Sequence, residues 1–376
     1  MRTLKNILVT GGCGFIGVNF IRLLLKQTPE FTGRIINLDA LTYAGNITSL
    51  QQVEREFGID LKPAPRYFFE LGDICDRQRL EEIFTKYEID TVVNFAAESH
   101  VDRSILGPET FVKTNVMGTF ALLDVARRCW QDTGPGTTGN ADAITYRPGV
   151  HFHHVSTDEV YGSLGTAGFF VESTPYDPRS PYSASKASSD HLVMAWHTTY
   201  GLPVTLSNCS NNFGPFQFPE KLIPLMIMNM MEGKPLPVYG DGKNIRDWIY
   251  VDDHNRALWA ILTKGRAGEK YNIGGENECE NVTIIDKLIT IVAEKVKYAP
   301  EKIRDTIQFV KDRPGHDRRY AIDCSKIKAE LGWKRETTFD EALTKTVEWY
   351  IENTVWINRI RSGEYRYWVE ENYGRR

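Results

Sequence analysis

The chain has 376 residues, 41% hydrophobic and 25% charged, the balance of a globular protein with enough length for one large domain or two ordinary ones. A net charge of -4 leaves no basic surplus for nucleic acid, and no apolar stretch reaches the length of a membrane span. Met1 to Asn6 runs straight into a short apolar segment and a Gly-rich turn, without the longer apolar region and small-residue cleavage site of a signal peptide, so a cytoplasmic protein is expected.

The first half alternates β-rich runs with amphipathic stretches, the pattern of a parallel sheet covered by helices. Strands are predicted at Ile7–Val9, Ile35–Leu38, Tyr67–Phe69, Thr91–Phe95, Val150–Val155 and Val204–Leu206. Helices are predicted at Phe15–Lys26, where Phe15, Ile16, Phe20, Leu23 and Leu24 fall near helical spacing, at Arg79–Tyr87, at Pro108–Trp130 and at Pro181–Tyr200. Pro108 stands near a helix start, where its missing N–H costs nothing. Between Gln131 and Pro148 the chain is polar and rich in Gly and Pro with no period, and reads as a surface insertion, a lid or a partner contact. Beyond about residue 207 the alternation breaks down into short elements and turns such as Gly233–Pro237 and Gly240–Gly242. The expected fold is therefore a doubly wound parallel α/β sheet of Rossmann type over 1–206, with a smaller, irregular α/β domain over 207–376 that binds substrate. The segment around 243–265 is expected to pack back on the first domain.

Six cysteines (Cys13, Cys75, Cys129, Cys209, Cys279, Cys324) include no C-x-x-C pair, so neither a zinc site nor a disulfide framework is expected. His151 and His153 share a strand face beside His154, but no further ligand type is near and no metal is expected. Tyr365 to Trp368 reads as packing.

Gly11, Gly14 and Gly17 lie between the first strand and the first helix, in a G-x-x-G-x-x-G spacing. Glycines there permit a tight turn and close backbone approach to a pyrophosphate, and the helix N-terminus presents N–H groups to the anion. Asp39 ends the next strand, 22 residues past Gly17. A carboxylate at that place suits a ribose hydroxyl and repels a 2′-phosphate, which favours NAD over NADP. Ligands of open α/β sheets lie at the carboxyl ends of the strands, which puts Asp73 and Ile74 near an adenine and Phe95, Ala96 and Ala97 near the pyrophosphate.

Tyr182 and Lys186 are four apart on one helix and share a face. An ammonium and the positive nicotinamide would favour a phenolate able to take a hydroxyl proton. Thr157, Asp158 and Glu159 follow an apolar strand. Two adjacent carboxyl groups suit protons moving at two places on one substrate, as a dehydratase requires and a simple dehydrogenase does not. Two acids crowding one site also push one pKa up, leaving one neutral and one ionised.

The glycine turn with the Tyr/Lys pair resembles the extended short-chain dehydrogenase/reductase superfamily over essentially the whole chain. Six strings are narrower: Asn94 to Ser104, Ser156 to Gly162, Asn208 to Pro215, Phe218 to Pro224, Ile245 to Asp253 and Asp312 to Asp317. Together they resemble the dTDP-glucose 4,6-dehydratase family. That resemblance implies oxidation of the sugar at C-4, loss of water across C-5 and C-6, and reduction at C-6, all with one bound NAD. It implies catalytic roles for Thr157, Asp158, Glu159, Tyr182 and Lys186. It implies NAD contacts from Gly11, Gly14, Phe15, Ile16, Gly17, Asp39, Thr42, Asp73, Ile74, Phe95, Ala96, Ala97, Thr114, Tyr182, Lys186 and Asn212. The nucleotide-sugar, dTDP-glucose, would meet Ser99, Thr157, Asn211, Lys221, Leu222, Pro237, Tyr239, Arg246, Asn281, Arg313, His316 and Tyr373. A homodimer through Pro108–Trp130 and Pro181–Tyr200 is also implied. Rival readings are a nucleotide-sugar 4-epimerase, which lacks the Asp-Glu pair, a GDP-mannose or CDP-glucose 4,6-dehydratase, and a catalytically dead NAD-binding regulator, which would have lost part of the set.

Overall fold

The structure, a computed structural model, describes residues 1–59, 64–132, 144–312 and 316–361. Strands β1 (Asn6–Thr10), β2 (Arg34–Asp39), β3 (Tyr67–Leu71), β4 (Thr91–Asn94), β5 (His151–Thr157) and β6 (Val204–Cys209) pair in parallel, in the order 3-2-1-4-5-6. This is the expected Rossmann sheet, with its order reversing between β1 and β4. The ends of β1, β4 and β5 therefore open onto one crevice.

The strands are apolar because helices cover both faces. Side chains alternate between two cores: Ile7, Val9, Ile35 and Val93 face one side, and Leu8, Ile36, Leu38 and Val92 the other. Each such burial is worth roughly 1.5–3 kcal/mol. The helix Pro181–Tyr200 was legible to the residue. Ser180 caps it with a reciprocal Ser183 contact, Pro181 occupies its first turn, and Gly201 ends it in the left-handed region at φ 68°.

Four elements differ from the sequence reading. The long helix from Pro108 is interrupted: Val112–Gly118 is a π turn between Pro108–Phe111 and Thr119–Trp130. Within it the Asn115 side chain is tied to the main chain of Glu98 in both directions and to Ser185 Oγ at 2.8 Å, and the Asn115 carbonyl accepts from Ser189 Oγ at 2.7 Å. Short helices at Gln51–Phe57 and Val101–Leu106 were not anticipated; each is too short to show a period. A seventh parallel strand, β10 (Glu269–Ile273), joins the main sheet beside β6, although it comes from the irregular second half.

That return is substantial. The helix Val251–Lys264 places Leu258, Ile261 and Leu262 in the same core as Ile7 and Phe20, and Arg2 donates to the carbonyls of Leu262 and Gly265. A second core gathers Phe213, Ile223, Met226, Trp248, Ile284, Leu288, Leu343 and Tyr350. Around it lie β7 (Asn211–Phe213), β8 (Leu236–Tyr239), β9 (Ile245–Tyr250), β11 (Glu278–Glu280) and β12 (Ile307–Val310). They form a three-stranded sheet in the order 11-9-7 and a parallel pair of β8 with β12. Of the Gly- and Pro-rich stretch 131–148, the described ends are pinned together by Asp132 N–H to Thr145 O at 2.8 Å. Its middle, and Tyr365 to Trp368, lie outside the described residues.

Candidate active site

One cleft runs along the carboxyl ends of the strands. Its wall contains all sixteen residues expected at the cofactor, from Gly11 to Asn212, together with Ser99, Thr157, Asp158, Glu159, Asn211 and Lys221. At the turn after β1 the wall is backbone. Gly11 sits at φ 69°, and a Cβ there would come within 2.8 Å of the Ala96 main chain. A Cβ on Gly17 would lie 2.5 Å from Gly11 O and 2.7 Å from Gly12 Cα. Gly14 caps the helix Phe15–Gln27 without a side-chain bond, leaving its first N–H groups facing the cleft end. Asp39 is buried and anchored: Cys13 N–H donates to Oδ2 and Leu41 N–H to Oδ1, both at 2.8 Å. Burial pushes its carboxyl up, against these two bonds. Each oxygen keeps a lone pair for a hydroxyl. Asn212 Oδ1 is buried without a hydrogen-bond partner among the described residues.

The acids stand where β5 ends. Thr157 caps the short turn Asp158–Tyr161, its Oγ1 accepting from Glu159 N–H at 3.2 Å. Its hydroxyl lies 3.3 Å from Asp158 Oδ1. Asp158 is buried, and its Oδ2 finds no hydrogen-bond partner among the described residues. Burial first, then the charges of Glu159 and Asp247, push the Asp158 carboxyl well above its usual range. Asp247, on β9, is held by the N–H groups of Gly275 and Asn277 at 2.9 and 2.7 Å.

Tyr182 and Lys186 face the same space from the helix opposite. Here the chain's own groups oppose the ionised phenol that a positive nicotinamide would favour. Burial, followed by Glu159, raises the Tyr182 hydroxyl well above its ordinary value, with a Thr157 hydrogen bond as the opposing influence. Lys186 Nζ donates to Val155 O at 2.8 Å and lies 3.3 Å from His154 Nε2. After burial, Glu159 is the foremost charge raising the phenol.

His151, His153 and His154 are buried, and burial holds all three below the imidazole's ordinary value, His153 at about 3. They are neutral hydrogen-bonding groups. Thr205 Oγ1 lies 2.8 Å from both His151 Nε2 and His153 Nδ1, and Asn94 Nδ2 lies 3.1 Å from His154 Nδ1. No metal-binding cluster occurs among the described residues.

The remaining nucleotide-sugar candidates sit beside the cleft, on the second core. Lys221 Nζ donates to Ser99 O at 3.1 Å, and Leu222 opens the helix Leu222–Glu232. Pro237 and Tyr239 belong to β8, Arg246 to β9, and Asn281 starts the helix Asn281–Val296. Tyr239 OH reaches Asp102 Oδ2 at 3.0 Å, and its ring packs edge-on to His316 at 6.3 Å. Arg246 lies 4.2 Å over the Tyr320 ring and donates to Asp317 O at 2.9 Å. Leu222, Pro237, Tyr239, Arg246, Asn281 and His316 do not line the main cleft. Arg313 and Tyr373 lie outside the described residues.

A family model described as GDP-mannose 4,6 dehydratase matches residues 8–346. The chain is 52% identical to dTDP-glucose 4,6-dehydratase of Salmonella typhimurium over 380 residues, covering 98% of each. The chain belongs to the dTDP-glucose 4,6-dehydratase family. Among solved structures it resembles the Bacillus anthracis dTDP-glucose 4,6-dehydratase in complex with NAD, with a TM-score of 0.79 and 44% identity over 95% of this chain and 99% of that one. It also resembles the Streptomyces venezuelae dTDP-glucose 4,6-dehydratase with NAD bound, with a TM-score of 0.82 and 42% identity over 95% of this chain and all of that one.

In this member of the dTDP-glucose 4,6-dehydratase family, sequence reasoning missed several cleft residues, among them Tyr43, Glu98, Cys209, Gln217 and Glu220. Glu98, Cys209 and Glu220 fall inside the strings Asn94 to Ser104, Asn208 to Pro215 and Phe218 to Pro224, which is the signal that could have found them, and Glu220 stands directly before Lys221. It is buried 3.4 Å from Arg103 Nη2, and burial pushes its carboxyl up to about 7. Asp247 falls inside the string Ile245 to Asp253, but its effect on Asp158 exists only across the fold.

Proposed function

We propose that this chain converts dTDP-D-glucose to dTDP-4-keto-6-deoxy-D-glucose and water, as an NAD-dependent hydro-lyase serving deoxysugar biosynthesis. The observation that carries this reading is the buried Asp158 beside Glu159, at the end of β5 and across from Tyr182. The glycine turn, Asp39 and Asn212 fit NAD: the turn admits a pyrophosphate against bare backbone, Asp39 can accept ribose hydroxyls, and Asn212 Oδ1 offers an unused acceptor. NAD, when bound, takes hydride from C-4 and returns it to C-6, so the cycle is redox-neutral.

The chain's own residues move the protons. Tyr182 takes the C-4 hydroxyl proton while Thr157 hydrogen-bonds the same oxygen. The C-4 ketone then acidifies the C-5 hydrogen, and Glu159 removes it. Asp158, neutral through burial and the neighbouring charges, gives its proton to the C-6 hydroxyl as the C–O bond breaks and water leaves. Glu159 returns its proton to C-5. One proton thus ends on Tyr182 and one is missing from Asp158, and passage of a proton between them resets the site. A 4-epimerase breaks no C-5–H bond and has no use for Asp158. The carboxylate of Asp39 argues against an NADP enzyme.

In this reading residues 1–206 form the cofactor half and 207–376 the nucleotide-sugar half, with 251–273 returning to the main sheet. Ser99, Asn211, Lys221, Leu222, Pro237, Tyr239, Arg246, Asn281, Arg313, His316 and Tyr373 hold the nucleotide-sugar, the arginines suiting phosphate through paired N–H donors. The homodimer pairs the helical faces around Pro108–Trp130 and Pro181–Tyr200, where Val112 and Met117 stand about half exposed. All six cysteines are unpaired, as suits the reducing cytoplasm. The deciding experiment is incubation of the purified protein with dTDP-glucose and no added NAD. The alkali-absorbing 4-keto-6-deoxy product is expected, and conversion of UDP-glucose to UDP-galactose would instead identify an epimerase.

A further inference from the structure

Helix Pro181–Tyr200 carries Tyr182, Lys186 and Asp190 four residues apart, so all three share one face. Tyr182 and Lys186 line the cleft, whereas Asp190 lies one turn further along and is 1% exposed. Its Oδ2 accepts from Ser156 Oγ at 2.8 Å, Tyr176 OH at 2.9 Å and Asn208 Nδ2 at 3.3 Å. Its Oδ1 has no hydrogen-bond partner among the described residues but lies 3.5 Å from His154 Nε2. That same nitrogen is 3.3 Å from Lys186 Nζ. A contact chain therefore runs from Asp190 through His154 to Lys186, and Lys186 Nζ ends on the Val155 carbonyl.

An ammonium taken out of water needs a nearby anion, and a neutral imidazole does not supply one. The groups around the pair are His153 and His154 on β5, Cys209 at the end of β6, Tyr161, Tyr176, Glu172 and Lys270. Asp190 is the foremost charge that opposes the effect of burial on Lys186. We infer that Asp190 is a positioning residue for the dehydratase reaction: its carboxylate, fixed by Ser156, Tyr176 and Asn208, is the counter-charge that keeps the Lys186 ammonium seated under the cofactor cleft. This rests on the dehydratase reading above. A purely architectural hub would need only an acceptor, which asparagine also provides; a counter-charge needs the anion.

The test is Asp190→Asn in the full chain, assayed with dTDP-glucose. The expected result is a fall in kcat of roughly tenfold or more, with the alkaline limb of the kcat–pH profile moving down by about one unit. The direction follows because an ammonium that loses its anion deprotonates at lower pH. NAD retention should not change. In a Lys186→Met background the same substitution should add less than about twofold, since its target is gone. Losses that multiply in that background, with an unmoved alkaline limb, would overturn the inference. Tyr176→Phe provides an independent reading should Asp190→Asn not fold. Removing one donor raises the Asp190 carboxyl, which burial already pushes up to about 6, so the acid limb should move upward, and an unmoved acid limb counts against the inference. Turnover by the parent protein separates the two failures. A parent that makes no product defeats the dehydratase reading, whereas an active parent whose variants keep its pH limbs defeats only the role of Asp190.

Discussion

At Gly11, Gly14 and Gly17 the cleft wall is main chain, and what matters is the side chains that are missing. At Thr157, Asp158 and Glu159 the wall is made of side chains, and what matters is the charge around them. The first region is a steric device in which Gly11 and Gly17 leave no room for a Cβ. The second is an electrostatic device in which Asp158 is raised by burial, by Glu159 and then by Asp247, a residue of β9 brought from the other half of the chain. A turn can be built by seven residues in a row, but a shifted carboxyl requires the whole surrounding fold.

The sharpest break in the comparison comes from the acids. Asp158→Asn and Glu159→Gln should each reduce product formation by about a hundred- to ten-thousand-fold, while the protein still purifies with its NAD. Product measured by alkaline absorbance, against NAD released on denaturation, checks this, and undiminished turnover in both variants would refute their roles. Gly17→Ala should show the opposite profile. Its Cβ meets main-chain atoms that cannot give way, so a loss of about 1–3 kcal/mol of stability is expected, together with loss of co-purified NAD. Thermal melting and NAD content read both, and full NAD occupancy in the alanine variant would mean that the turn is looser than its geometry implies.

The smallest effect concerns the floor beneath the acids. Burial holds His153 at about 3, below its unfolded value, so its contribution to stability is present above the unfolded pKa and is lost as pH falls toward 3. The loss approaches about 1.4 kcal/mol per pH unit below 6.5. Replacing His153 by Asn removes that loss. The stability gap between the two proteins in urea melts should therefore narrow from pH 7 to pH 5, and a constant gap would show that this imidazole is not neutral and buried.

Much of the fold could be read before the structure because the relevant forces are local. Ser180-Pro181 and Gly201 bracket a helix by capping and backbone freedom, and the apolar strands announce a sheet buried on both faces. The π turn at Val112–Gly118 could not be read, since the contacts at its Asn115, to Glu98, Ser185 and Ser189, join residues far apart in the chain. Nor could the seventh strand, whose partner β6 precedes it by some sixty residues. The opposition to a Tyr182 phenolate could not be read either: burial and Glu159 raise its hydroxyl, against the ammonium and positive nicotinamide that would favour the ionised form.

The chemical parts and their local frames are written along the chain: the glycine turn, Asp39 at a strand end, the Thr157–Glu159 run, and Tyr182 with Lys186 on one helix face. Spacing along the chain is enough for these, since turns and helices bring only near neighbours together. The tertiary structure decided the protonation of those parts. Burial shifts Asp158, Tyr182 and Lys186, and Asp247 and Asp190 act on Asp158 and Lys186 through space, where distance along the chain carries little information.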